Sequence, residues 1–322
     1  MRYQSGNFFT SVTELSLRSS IMAPIKSSPS SGTRSGRISA IRGKEVNNMN
    51  RKQITQLFPW LIPLRKWQRK LFFYLGMRLD RNHYSTVISR EQLPVEVFAS
   101  GCPMYNRDTG FDMIYQENKV HNLKLAAAAF DHMLIRPGET FSFHLATRRA
   151  DRREPYRDGL TVIDGCLTTA PGGGMCQLSN LLFWVFLHSP LTVLERHGHS
   201  SKDFPEPPSD APMGVDATLA EGWKDLKVRN DTDYTFQIHI AFDREHIYGY
   251  LYSDRQDPLL YSVRNGPVSY YRRQGVIREE VDVIQTLTDK KSGQILKNRI
   301  LYRNVCRIGY PLPEDTPIIE EQ

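Results

Sequence analysis

Only four of the 322 residues are cysteine, and Cys102, Cys166, Cys176 and Cys306 form no Cys-x-x-Cys pair and no metal-knuckle spacing. Neither a disulfide scaffold nor a zinc ribbon is suggested by that pattern. No run of about eighteen apolar residues occurs, so no transmembrane helix is expected. The N-terminus lacks the compact apolar core of a secretory signal, and the expected location is cytoplasmic or peripheral on the inner face of a membrane. Acids are scarce at the front: residues 1–50 carry seven Lys/Arg against two Asp/Glu, and residues 51–90 carry nine against one. Those ninety residues hold a charge of +13 and the remaining 232 hold −6, so the pI of 9.2 describes an arm and not the body. A nucleic-acid binder needs a basic face on the fold, and no nucleic-acid partner is expected.

What is present centres on Pro171-Gly172-Gly173-Gly174-Met175-Cys176-Gln177. Three consecutive glycines mark a tight loop with unusual dihedrals, because each loses more backbone freedom in a regular element than any other residue. No Gly-Lys-Ser/Thr follows, so this is not a nucleotide phosphate loop. From Gln177 the chain turns apolar until His188-Ser189-Pro190, which predicts a buried helix of about twelve residues. Cys176 then sits at or within a turn of its N-terminus, where unpaired amides and the helix dipole favour a thiolate. The plain alternative is a small buried Cys behind a structural turn.

Residues 1–50 are rich in Ser, Arg and Gly and poor in large apolar side chains, which predicts a disordered arm. Such a start also has the composition of an organelle transit peptide, and translation beginning at Met49 is a third reading. Residues 53–78 mix aromatics with clustered bases. On a helix from Leu64 to Met77, Leu64, Trp67, Leu71, Tyr74 and Leu75 share one face, a composition suited to an anionic membrane surface or to packing on the body. A helix is expected over 122–134, ended by Arg136-Pro137-Gly138, then a short strand at 139–143 and a solvated charged loop at 148–158. Strands are expected from Leu191, where an extended chain would put His197 and His199 on one face, and at Val215–Leu219. From Tyr234 the pattern is β, with strands at 236–242 and 247–252 and a hairpin over 278–303 turning at Asp289–Gly293.

Three ordered blocks, Arg136-Pro137-Gly138-Glu139-Thr140-Phe141-Ser142-Phe143, Gly172-Gly173-Gly174-Met175-Cys176-Gln177-Leu178-Ser179-Asn180 and Glu195-Arg196-His197-Gly198-His199-Ser200, resemble the VanW family. Leu187–Val193 and Arg229–Gln237 resemble its short form, and the likeness runs over roughly residues 50–260. The resemblance implies a place in glycopeptide resistance and the cell envelope. Larger exported members imply L,D-transpeptidation of peptidoglycan through the Cys of the glycine-loop motif, whereas no export signal is expected here. Carried over, Cys176 becomes the nucleophile, His199 its partner and Asp216 fits the family's Asp-Ala pattern.

Cys, His and an orienting acid form a thiol acyltransferase arrangement, with loop amides from Gly172, Gly173, Gly174 and Gln177 nearby to hold an oxyanion. His197 is an alternative base and Arg196 a secondary site residue. The expected partner is a peptide-like small substrate, with a peptidoglycan precursor as the instance the resemblance implies. Two other classes stay open: zinc held by Cys176, His197, His199 and Asp216, and a non-catalytic envelope module that cradles a peptide while Cys176 is structural. No cofactor is expected, and nothing sets an oligomeric state. The predicted fold is α+β: a central helix with Cys176 at its N-terminus on a mostly antiparallel sheet, and a β-rich C-terminal part. The expected divisions are the arm 1–50, the basic amphipathic segment 51–90, a VanW-like domain 91–258 and an extension 259–322.

Overall fold

In the computed structural model, residues 59–320 are described, apart from 164, 165, 206 and 208. The expected disordered arm and the first part of the basic aromatic segment lie outside the described residues. Four α-helices occur among the described residues: Ile62–Leu79, Ile114–Ala128, Phe143–Thr147 and Cys176–Phe186. Strands dominate the rest, so the fold is α+β with a β-rich C-terminal part.

Cys176–Phe186 is the centre of the molecule. Leu178, Leu181, Leu182, Phe183, Trp184, Val185 and Phe186 are all buried, as a helix apolar on every side must be. One side rests on Val95–Pro103 and His246–Ser253 of a four-stranded sheet completed by Phe236–Phe242 and Leu134–Ile135. Gly249 allows the close approach, since a Cβ there would fall 3.1 Å from Leu181 Cγ. Phe186 meets Phe141 of a second sheet, Glu139–Ser142, edge to face at 5.6 Å. At its C-terminal end Gln285 donates from Nε2 to the Leu187 carbonyl at 2.8 Å, tying the helix to a five-stranded sheet built on Leu259–Arg273, Val276–Asp289 and Ile295–Ile308. Ser189 ends the helix by donating its hydroxyl to the Phe186 carbonyl at 2.7 Å, before Pro190.

Several expectations need correction. The helix expected over 122–134 runs instead over Ile114–Ala128, because the Asp112 carboxylate takes the Ile114 amide at 2.9 Å and starts it earlier. It stops earlier because His132 turns the chain at φ 60° and Leu134–Ile135 leaves to pair with Phe236 and Gln237. Val215–Leu219 is not a strand. Side chains consume its backbone groups: Asn180 takes the Ala217 amide at 2.7 Å and Ser179 donates to the Ala217 carbonyl at 2.5 Å. The strand after Leu191 is short, Thr192–Glu195, so His197 and His199 lie beyond it in irregular chain.

Ile62–Leu79 starts on Pro63 and docks through buried Tyr74 and Met77, with Tyr74 Oη donating to Glu221 at 2.9 Å. Tyr74 therefore faces the body, not the shared exposed stripe, while Leu64, Trp67, Leu71, Phe72 and Leu75 remain exposed among the bases. No helix among the described residues is long and apolar enough to cross a membrane.

Candidate functional site

The glycine loop is a backbone device. Gly172 and Gly174 take φ of 80° and 85°, conformations that favour glycine. Gly173 lies directly on Gly159 of the neighbouring strand, where a Cβ would fall 2.0 Å from the Gly159 carbonyl oxygen. Fully buried Asn122 clamps this stack: its Nδ2 donates to the carbonyls of Gly173 at 3.1 Å and Arg157 at 2.9 Å, and its Oδ1 accepts the Arg157 amide at 2.8 Å. The loop thus delivers Cys176 as the first residue of the buried helix, with Met175 as an N-cap that offers no side-chain bond.

Around Cys176 the segment 215–219 wraps back. The Leu219 amide donates to Cys176 Sγ at 3.5 Å, and Thr218 Oγ1 lies 3.5 Å from the same sulfur. The His199 imidazole shares this neighbourhood and favours the ionised form of the Cys176 thiol. Its Nδ1 meets Asp216 Oδ1 at 2.5 Å, while Asp216 Oδ2 accepts the His199 amide at 2.5 Å. The Asp216 side chain is only 3% exposed, so this bidentate grip works in a low-dielectric setting.

Electrostatics follow from that geometry. Burial alone would push the Cys176 thiol up, but the His199 imidazole, the Thr218 hydroxyl and the Leu219 amide outweigh it and hold the thiol below its ordinary value. Burial would push His199 down, yet bonds to Asp216 and Cys176 hold it well above the ordinary imidazole value. Asp216 opposes its own burial in the same way, kept low by His199 and Arg196. All three directions favour the charged form of each group.

The sequence candidates divide. Cys176, His199 and Asp216 are brought together. His197 is not: its Nε2 lies 3.1 Å from Glu195 Oε1, a carboxylate that also holds Lys227 at 2.8 Å. The four residues considered for zinc therefore do not converge, and the His/Cys/Asp/Glu cluster of metal-holding spacing among the described residues is Asp131, His132 and His239 instead. Arg196 is a brace. Its Nε donates to the Asp216 carbonyl, its Nη2 to Asn304 Oδ1 at 2.8 Å, and its guanidinium lies 4.0 Å over the Tyr302 ring. Gly198 permits the crossing, since a Cβ would sit 2.7 Å from Asn304 Oδ1. The Gln177 side chain donates from Nε2 to the Pro103 carbonyl at 2.6 Å.

Sequence reasoning missed Thr218, Asn304, Asn122 and the helix pair Ser179-Asn180. The last had a visible trace, since two adjacent polar residues interrupt an otherwise apolar run and must find partners if that run is buried. Cys176 and His199 open onto a cleft of about 1170 Å³, whose wall includes Lys119, Gln177, Trp184 and Thr218.

Fold and site define a class: an α+β protein with a thiol, an imidazole and a carboxylate gathered at the N-terminus of a buried helix. Residues 118–252 match the family model described as VanW like protein. The chain is 54% identical over 272 residues to the vancomycin B-type resistance protein VanW of Enterococcus faecalis (strain ATCC 700802 / V583), a match spanning 84% of this chain and 99% of that one. It is 32% identical over 114 residues to the uncharacterized protein YoaR of Bacillus subtilis (strain 168), over 35% of this chain and 36% of that one. No solved structure matches it. The chain belongs to the VanW family.

Proposed function

We propose that the protein carries out cysteine-dependent acyl transfer or hydrolysis, in the manner of an L,D-transpeptidase, on a peptide of peptidoglycan type. Its kinship with a vancomycin B-type resistance protein supports a setting of glycopeptide resistance and the cell envelope. The observation that carries the reading is His199 held by Asp216 at 2.5 Å on the same cleft as Cys176.

The Cys176 thiolate attacks the substrate carbonyl carbon and forms an S–C bond. The carbonyl oxygen takes up negative charge beside the helix N-terminus, where the loop amides around Gly174 to Cys176 are the proposed donors. Collapse breaks the C–N bond, and the His199 imidazolium gives its proton to the leaving amine. A thioester remains. An acceptor amine or water then gives a proton to His199, attacks the thioester and releases the thiolate. Asp216 keeps the imidazole oriented throughout.

The test is the pH-dependence of alkylation at Cys176, with His199→Ala beside it. An apparent thiol pKa below the free value of about 8.5 that rises in the variant supports the pair. A thiol inert at every pH, together with peptide binding that survives Cys176→Ala, would support a non-catalytic envelope module instead. The exposed apolar residues and bases of Ile62–Leu79 favour a peripheral seat on an anionic membrane, tested by sedimentation with anionic against neutral vesicles.

A further inference from the structure

Lys119 stands on the Ile114–Ala128 helix, with its alkyl stem laid across the glycine loop. A Cβ on Gly174 would fall 2.3 Å from Lys119 Cγ and 2.6 Å from Cδ, so glycine is needed there for the stem to pass. That crossing is two residues before Cys176, and Lys119 lines the same cleft.

The other described lysines that line the cleft have carboxylate partners: Lys70 with Glu221 and Lys202 with Glu279 at 3.2 Å. Among the described residues no carboxylate pairs with Lys119. Two acids lining the cleft are engaged elsewhere, Glu221 by Lys70 and Tyr74 and Asp210 by Ser100 at 2.6 Å. Burial pushes the Lys119 amine down to about 8. A half-buried cation without a counter-ion among the described residues points to a charge supplied from outside.

Gln177 adds a second unfilled group on the same wall. Its Nε2 is committed to the Pro103 carbonyl at 2.6 Å, which fixes the amide orientation, and its Oε1 is buried without a partner. A lone cation would suit any anion. A cation together with an acceptor seeking an N–H suits the end of a peptide, which carries both a carboxylate and an amide hydrogen.

We propose that Lys119 and Gln177 form a recognition pocket for the carboxyl-terminal end of a peptide bound beside Cys176, the ammonium taking the carboxylate and Gln177 Oε1 taking a backbone N–H. The inference names the substrate class for the acyl-transfer site and so rests on that reading for its purpose. Its tests separate the two.

First, Cys176 is alkylated with iodoacetate and with its neutral analogue iodoacetamide. The ratio of the two rates cancels thiolate content and reads only the reagent's charge. Lys119→Met is expected to lower the iodoacetate rate by about fivefold and to leave the iodoacetamide rate within about twofold, and Lys119→Arg to keep the anionic preference. Equal loss with both reagents would mean that Lys119 merely supports the loop, and would overturn the proposal. Second, binding of N-acetyl-alanyl-alanine and of its C-terminal amide is compared in Cys176→Ser protein by tryptophan fluorescence, since Trp184 lines the cleft. The acid is expected to bind more tightly, with the preference abolished by Lys119→Met. Acid preference with an inert wild-type thiol would sink acyl transfer and leave the pocket standing. A reactive thiol with no acid preference would sink the pocket alone.

Discussion

Cys176 and Cys102 line the same cleft, yet their surroundings drive them in opposite directions. Burial raises Cys102, and the bond from Gln177 does not offset it. Burial acts on Cys176 too, but there an imidazole, a hydroxyl and an amide converge on the sulfur. Cys306, buried beside Glu279, is pushed up to about 12. Position in a cleft therefore does not set the direction of a thiol's pKa. The imidazole, hydroxyl and amide around it do, and they reach Cys176 from segments distant in sequence.

That contrast can be broken in stages. At pH 6, alkylation of Cys176 is expected to outpace Cys102 and Cys306 by about a hundredfold, read by peptide mass mapping. His199→Ala should slow Cys176 at pH 6 by several tens of fold and bring it close to Cys102, seen as a rise in its apparent pKa. Asp216→Asn should cost about tenfold in the same assay, because the ring stays in place without its counter-charge. The stability signature has a definite sign. Asp216, with its folded pKa lowered, contributes above the unfolded value of about 4 and loses this as pH falls through the folded value. His199, with its folded pKa raised, contributes fully below about 6.5 and loses this as pH rises through the folded value. The melting-temperature gap between wild type and Asp216→Asn should thus be widest between about pH 4 and 6.5. Gly198→Ala, forced against Asn304, should lower the melting temperature and slow alkylation a few-fold. His197→Ala is expected to change Cys176 reactivity by less than about twofold, since that ring serves Glu195.

Much of this was legible in local pattern. The glycine run, the apolar run after it and the Asp289–Gly293 turn are short-range signals, and the helix and hairpin appear where they predict. The choice between His197 and His199 was not legible, because it depends on which carboxylate each ring meets. Asp216 is reached through the irregular chain that a strand assignment had straightened. The strand Leu259–Arg273 was not assigned from the sequence; it carries Asn265-Gly266-Pro267 as a register shift between Asn265 and Val268 and continues. The start of Ile114–Ala128 was missed because an aspartate side chain outside the helix sets it, not the periodicity within.

The brace running from Asp216 through Arg196 to Asn304 and Tyr302 bears on how the protein can be handled in the laboratory. The family match stops at residue 252, while two of the brace's anchors lie some fifty residues beyond it. A fragment trimmed to the matched span would keep Cys176, His199 and Asp216 but leave the guanidinium without its seat. Expression boundaries, and any search for inhibitors against a shortened version, should therefore run through Ile308.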